Sequence, residues 1–207
     1  MDISNIKVLV LPPETRRIKV DTIKVLPITK YPSVSVIIPY RIGEKFNPIW
    51  ICSNDEAIIV LGGWTIGHAR IAGAKVAKYN WLVFMDADAI YPLDYILKIK
   101  DYIKRVKKTV LATIRTGGFD NIFFDVHEHG LIVHRDEFFK RVLHYPQGVR
   151  QAGRRTDIAD YFRDAVKIPV KYYHGFTKGE KRLIVAGVGF SAMVVEFYLL
   201  SRIKAKG

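Results

Sequence analysis

The sequence is short of cysteine, of acid and of any unbroken apolar run. Its 207 residues include one cysteine, Cys52, so no internal disulfide can form and a reducing, cytoplasmic setting is expected. No catalytic His or Asn pattern accompanies Cys52, which reads as an inert buried thiol rather than a nucleophile. Acidic residues number 20 against 33 Lys and Arg, a formal net charge of +13. That balance favours phosphate-bearing and other anionic partners and says nothing about fold. The start of the chain, Met1-Asp2-Ile3-Ser4-Asn5, has neither the basic opening nor the apolar core of a secretory signal. Repeats and low-complexity tracts are missing as well. With 49% hydrophobic residues, the composition excludes disorder over most of the length. One domain, residues 1–207, is expected.

Leu183–Ile203 comes nearest to a membrane span, but Gly187, Gly189 and Glu196 interrupt it. A carboxylate in hydrocarbon is costly, so a buried or interfacial helix is expected there. Lys178, Lys181, Arg182, Arg202, Lys204 and Lys206 flank the segment. Two expectations stand side by side: packing into the core, or peripheral, salt-sensitive contact with an anionic membrane.

What is present is an alternation of apolar runs and amphipathic stretches. Residues 1–30 hold three short runs, Ile6–Leu11, Ile18–Val20 and Ile23–Leu26, punctuated by Pro12, Pro13 and Pro27. They read as short strands or an extended arm. The β-branched run Val34–Pro39 suits a buried parallel strand. Residues 43–54 read as one short helix, and Ala57–Leu61 as a further apolar run ended by Gly62-Gly63. His68–Tyr79 predicts a helix whose small face (Ala69, Ala72, Gly73, Val76, Ala77) can lie close on a sheet. Trp81–Met85 predicts a third strand, followed directly by Asp86-Ala87-Asp88. Leu93–Lys108 predicts an amphipathic helix with Ile96, Ile99, Ile103 and Val106 inward and Lys98, Lys104, Arg105 and Lys108 outward. Further on, Thr109–Ile114, Gly130–Val133 and Ile168–Tyr173 read as strands, and Asp136–Leu143 and Asp157–Val166 as helices. This order predicts an α/β fold: a mostly parallel central sheet flanked by helices.

Asp86 and Asp88 carry the chemistry. They follow a buried strand at its carboxyl end, where open α/β sheets bind ligands. Alternate residues of an extended chain point the same way, so the two carboxylates can converge. Hard oxygen ligands of this kind suit Mg²⁺ or Mn²⁺, with substrate phosphates completing the coordination. His127-Glu128-His129 could bind zinc as alternating strand residues, but no second ligand pair at finger-like spacing accompanies it, and a loop near an acceptor is the preferred reading.

The run from His68-Ala69-Arg70 through Gly73 and Trp81–Met85 to Asp86-Ala87-Asp88 resembles the core of family-two glycosyltransferases. Ser35-Val36-Ile37-Ile38-Pro39-Tyr40 is similar to the opening strand of that family, and Pro92 falls where the family often has proline after its acidic motif. Residues 34–96 carry the resemblance well and 130–175 loosely. It implies a single GT-A domain with a donor-nucleotide and metal half over 34–96, an acceptor and catalytic half over 109–175, and an apolar C-terminal helix over 183–207. It implies a nucleotide-diphospho-sugar donor near Pro39, Tyr40, Arg41, Arg70 and Asp86. Arg70 stays open between a contact to base or diphosphate and a helix-surface ion pair. Asp86 and Asp88 would hold Mn²⁺ or Mg²⁺, with His174 as a third metal contact. Asp157 matches the general base that opens a helix, with Asp160 as fallback, although a capping aspartate would look the same. The interval from Pro39 to Asp86 is too short for the usual extra strand and helix; that unit is either missing or merged into residues 43–63, so the donor half is shortened.

The expected activity is metal-dependent glycosyl transfer, inverting, to an acceptor hydroxyl or lipid phosphate. The acceptor is unknown, a glycan or a polyisoprenyl phosphate being the candidates. A basic nucleic-acid-binding protein is the first rival. Its basic residues, however, are spread along the chain with no aromatic-basic recognition motif, so no nucleic acid is expected. The others are a metal-dependent phosphoesterase using Asp86 and Asp88, and an inactive scaffold on the same fold.

Overall fold

The structure is a computed structural model that describes residues 5–16, 18, 20–27, 29–63, 65–117, 130–145 and 158–175. Seven strands form one sheet in the order β1-β5-β3-β6-β8-β7-β9. They are β1 (Ile6–Leu11), β3 (Ser35–Tyr40), β5 (Glu56–Gly62), β6 (Trp81–Phe84), β7 (Val110–Thr116), β8 (Leu131–His134) and β9 (Val166–Tyr173). The pairs β1/β5, β5/β3, β3/β6 and β7/β9 are parallel, while β8 is antiparallel to both neighbours. All strands but β8 therefore run the same way, and the carboxyl ends of β3, β5, β6, β7 and β9 share one edge.

Apolar residues on the central strands alternate between two cores. Val36, Ile38, Ile59 and Val83 face the helix α2 (Tyr95–Arg105) and a small parallel sheet of β2 (Ile23–Leu26) and β4 (Ile49–Cys52). Ile37, Ile58, Val60, Leu82 and Phe84 face α1 (Ile66–Val76), α3 (Arg135–Val142) and a 3-10 helix, Ile158–Phe162. Burial on both faces is what makes these strands continuous apolar runs rather than alternating ones.

Helix α1 starts where the Thr65 hydroxyl accepts the His68 amide, an N-cap. A Cβ at Gly73 would lie 2.5 Å from Ile37 Cγ2, so only glycine lets this helix lie so close to β3. Of the expected small-residue face, Ala69, Gly73 and Ala77 are buried, whereas Val76 is exposed and lies outside the contact.

Two local expectations are corrected and one is narrowed. Residues 43–54 are not a helix: turns at 42–44 lead into β4, whose Ile49-Trp50-Ile51 has the β-branched and aromatic character of a strand and pairs with β2. Neither described residue of 18–20 is in a strand. Over 157–166 the described helical segment is only the 3-10 turn, because Val166 already begins β9. Between Pro39 and Asp86 the further strand is present as β5, while the connection from β3 to β5 carries β4, paired with β2, and no helix. His127, Glu128, His129, Asp157 and Leu183–Ile203 lie outside the described residues. Among the described residues no helix is long and apolar enough to cross a membrane.

Candidate functional site at the carboxyl edge of the sheet

The acidic motif is a turn that leaves the carboxyl end of β6. Met85 N–H still donates to Ile37 O at 3.0 Å, the last tie to the neighbouring β3. Beyond it, exposure alternates: Met85, Ala87 and Ala89 are buried, while Asp86, Asp88 and Ile90 face outward. Both carboxylates therefore emerge on the exposed side, as the extended spacing predicts. Ala89 N–H donates to Asp86 O at 3.3 Å, and Ile90 exchanges two backbone hydrogen bonds with Tyr173, at 2.8 and 2.9 Å. The turn is thus fastened to the carboxyl end of β9.

The two carboxylates have different partners. Asp86 Oδ1 accepts from Arg70 Nη2 at 2.8 Å, and the Asp86 side chain is 26% exposed. Arg70 comes from the sheet-facing side of α1 and is buried. Its guanidinium is in an ion pair, as one of the two expectations has it, but from a buried rather than a helix-surface position. Asp88 is more open, 52% exposed, and its Oδ1 lies 3.1 Å from His174 Nε2. The hydrogen bond with His174 is the main reason the Asp88 carboxyl sits below its ordinary pKa, with burial opposing it. The same contact raises His174, again against burial, and the charges of Asp86 and Asp88 add to it.

A tyrosine floor supports this turn. The Tyr91 hydroxyl accepts the Asp86 amide at 2.7 Å, and the Tyr91 ring stacks on Tyr172 and packs against Tyr95. Burial, reinforced by the Asp86 charge, pushes Tyr91 and Tyr172 well above the usual phenol value, so both stay neutral. Arg115, buried at the end of β7, donates from Nε to His174 O (3.3 Å) and from Nη2 to Gly175 O (3.0 Å). It fixes the backbone that carries the imidazole.

The structure thus brings Arg70, Asp86, Asp88 and His174 to one edge. Pro39 and Tyr40 end β3 on that same edge. The Tyr40 hydroxyl donates to Glu44 O at 3.0 Å, and its ring packs on Phe46. Arg41 is 81% exposed and sits 3.6 Å from Glu44 Oε1, its ion-pair partner among the described residues. Asp160 lies in the 3-10 helix that precedes β9. Among the described residues no three acidic, His or Cys side chains form a ready cage for an ion.

Several residues of the site escape a reading of the sequence: Tyr91, Tyr172, Arg115 and Asn47. Arg115 left a trace, since an arginine within the apolar strand Val110–Thr116 must find acceptors when buried. Asn47, before Pro48, looks like ordinary turn chemistry. Its side chain and amide instead hold three carbonyls of the acidic turn.

Comparison with known proteins follows the same residues. No curated protein matches the sequence. Among solved structures, a crystal structure of S. aureus TarS, residues 1–349, aligns with a TM-score of 0.49 and 12% identity, covering 69% of this chain and 60% of that one. The chain therefore spans less than two thirds of that structure's length. The sequence pattern of glycosyl transferase family 2 matches residues 56–166, from β5 through the acidic turn to the start of β9. That is more than half of the chain, and it carries the mostly parallel sheet with Asp86-Ala87-Asp88 at its carboxyl edge; the chain belongs to glycosyl transferase family 2, with the GT-A architecture of that family.

Proposed function

We propose that this protein transfers a sugar from a nucleoside-diphosphate donor to an acceptor, at the edge formed by β3, β6 and β9. The observation that carries the reading is the pair of outward carboxylates at the end of β6, one braced by Arg70 and the other set against His174. Two carboxylates and an imidazole are a donor set suited to Mn²⁺ or Mg²⁺, whose remaining positions are normally filled by phosphate oxygens and water. When bound, such a cation offsets the charge that grows on the leaving diphosphate.

The chain's own groups have distinct tasks in this reading. Asp88 is the principal cation ligand, because it is the more open carboxylate and has lone pairs beyond the His174 contact. His174 gives up its proton to serve as a second ligand. Arg70 pairs with Asp86 and holds its carboxylate in place. Pro39, Tyr40 and Arg41 border the nucleoside. Asp157, or Asp160 in its place, takes the proton from the acceptor hydroxyl as the new glycosidic bond forms and the bond to diphosphate breaks, with inversion. The acceptor is a glycan hydroxyl or a polyisoprenyl phosphate. The basic flanks of Leu183–Ile203 favour work at an anionic membrane, which flotation with liposomes at low and high salt tests directly.

The decisive experiment is a thermal-shift panel of UDP-, GDP-, ADP- and dTDP-sugars with and without Mn²⁺. A donor that binds the native state raises its melting temperature. One donor should do so only with the cation present, and Asp88→Ala should lose that shift while melting normally without ligand. A shift unaltered in Asp88→Ala removes the role given to the acidic turn. In a transfer assay with the donor so found, Asp157→Asn or Asp160→Asn should cost about a hundredfold while leaving the shift intact.

A further inference from the structure

The connection from β3 to β5 is tied to the acidic turn through one residue. Asn47 is 7% exposed, lying just ahead of β4. Its backbone N–H donates to Ala87 O at 2.8 Å, and its side-chain Nδ2 donates to Asp88 O at 2.7 Å and Ala89 O at 3.1 Å. Three consecutive carbonyls of the turn end on this single residue. The orientation of the amide is fixed by chemistry, since carbonyls only accept and the two N–H bonds of an amide NH₂ can serve both. Asn47 also belongs to the segment in which Tyr40 bonds Glu44 and stacks on Phe46. One side of that segment borders the end of β3, and the other grips the backbone from which Asp88 projects.

The geometry points to Asn47 as a positioning residue for the cation ligand Asp88. It touches neither donor nor acceptor. It holds the carbonyls on either side of the Asp88 Cα, and so sets the direction in which the carboxylate leaves the backbone. It also joins the donor-side segment Tyr40–Pro48 to the acidic turn, so that a displacement of one carries to the other. The inference rests on Asp88 being the cation ligand in the reading above. Neither Asn47 nor the segment around it falls within the part of the chain that matches the family pattern, which begins at Glu56.

The test uses the full chain and the variants Asn47→Ala and Asn47→Asp. The aspartate has the same shape but presents no N–H to the two carbonyls. Two quantities are read: Mn²⁺ affinity, by counting free Mn²⁺ with electron paramagnetic resonance in the presence of UDP, GDP, ADP or dTDP, and amide hydrogen exchange of the metal-free protein. Removing a residue that orients a metal ligand typically weakens metal binding by about ten- to a hundredfold. That loss is expected here at a melting temperature close to wild type, with faster exchange confined to peptides covering 86–91. A merely structural asparagine would instead lower the melting temperature and spread its effect over the sheet. Affinity within about twofold of wild type, with exchange at 86–91 unaltered in a folded variant, overturns the inference. Should Asn47→Ala fail to fold, Asn47→Asp is read in its place by the same criteria. If wild type binds Mn²⁺ with none of the nucleotides, the proposed function fails by itself, and local exchange still decides whether Asn47 holds the turn.

Discussion

Two pairs of acids lie at opposite edges of the same sheet, and they live in opposite circumstances. Asp55 and Glu56 stand at the amino end of β5; Asp86 and Asp88 follow the carboxyl end of β6. Asp55 is fully buried and fully engaged: Oδ1 accepts Val34 N–H (3.0 Å) and Lys100 Nζ (2.8 Å), and Oδ2 accepts Cys52 N–H (2.9 Å). Glu56 accepts the Ser35 hydroxyl at 2.5 Å and the Lys78 amide, and pairs with Lys7 Nζ at 2.8 Å. At the other edge Asp86 pairs with Arg70 and Asp88 with His174 among the described residues, and both remain partly open to solvent. Buried acids whose lone pairs are consumed by the chain serve to hold it together. Acids left half open at the ligand-binding edge of a parallel sheet have lone pairs available to something else.

The contrast can be broken by mutation, and the expected effects on stability fall in order. Asp55→Ala should be the most damaging, at about 3–5 kcal/mol by denaturant unfolding, because it leaves the Lys100 charge buried without its counter-ion. Next comes Glu56→Gln, at about 1.5–3 kcal/mol near neutral pH, the scale of the charge-assisted hydrogen bonds it loses. Its pH dependence sharpens the point. Burial raises Glu56, but the bonds from Lys7, Ser35 and the Lys78 amide together hold it below its ordinary 4.5. A carboxyl lowered on folding stabilises above its unfolded value and loses that contribution as pH falls through its folded value. The melting gap between wild type and Glu56→Gln should therefore be steady above about pH 5 and close under stronger acid.

Tyr91→Phe is expected to cost about 1 kcal/mol, since one buried amide, that of Asp86, loses its acceptor while the ring stack on Tyr172 survives. Smallest of all is Asp88→Ala, within about 0.5 kcal/mol by the same unfolding assay, because its side chain is largely exposed. That variant should nonetheless lose cation-dependent donor binding altogether. If Asp88→Ala proved as destabilising as Asp55→Ala, the distinction between the two edges would collapse.

The same comparison explains how much could be read in advance. Strands β3, β5 and β6 announce themselves because each is an apolar run buried on both faces, and Asp86-Ala87-Asp88 is legible because it follows such a run directly. The site's supports are not. Lys100 stands four residues after Ile96, on the apolar stripe of α2, yet its partner Asp55 is 45 positions away and nothing local names it. Asn47 reaches the acidic turn across 41 positions. Read alone, β4 passes for part of a helix because its pairing partner, β2, lies on the far side of β3 in the chain. Periodicity reports which face of an element is buried; it does not report which distant segment buries it.

The position of β1 has a consequence for where this protein can be cut. The family pattern starts at Glu56, but the strand it starts with is held between β1 and β3, whose residues 6–11 and 35–40 precede that point. A fragment trimmed to 56–166 would leave Ala57–Leu61, apolar at every position, with both of its backbone edges unpaired. Such a strand is a template for association with other chains. In the full chain β1 covers one of those edges and turns Lys7 toward Glu56, placing a charge on the outermost of the described strands. The opening residues supply none of the groups assigned to the site, yet they pair with the sheet that carries it, so the stretch recognised by sequence similarity is smaller than the sheet it belongs to.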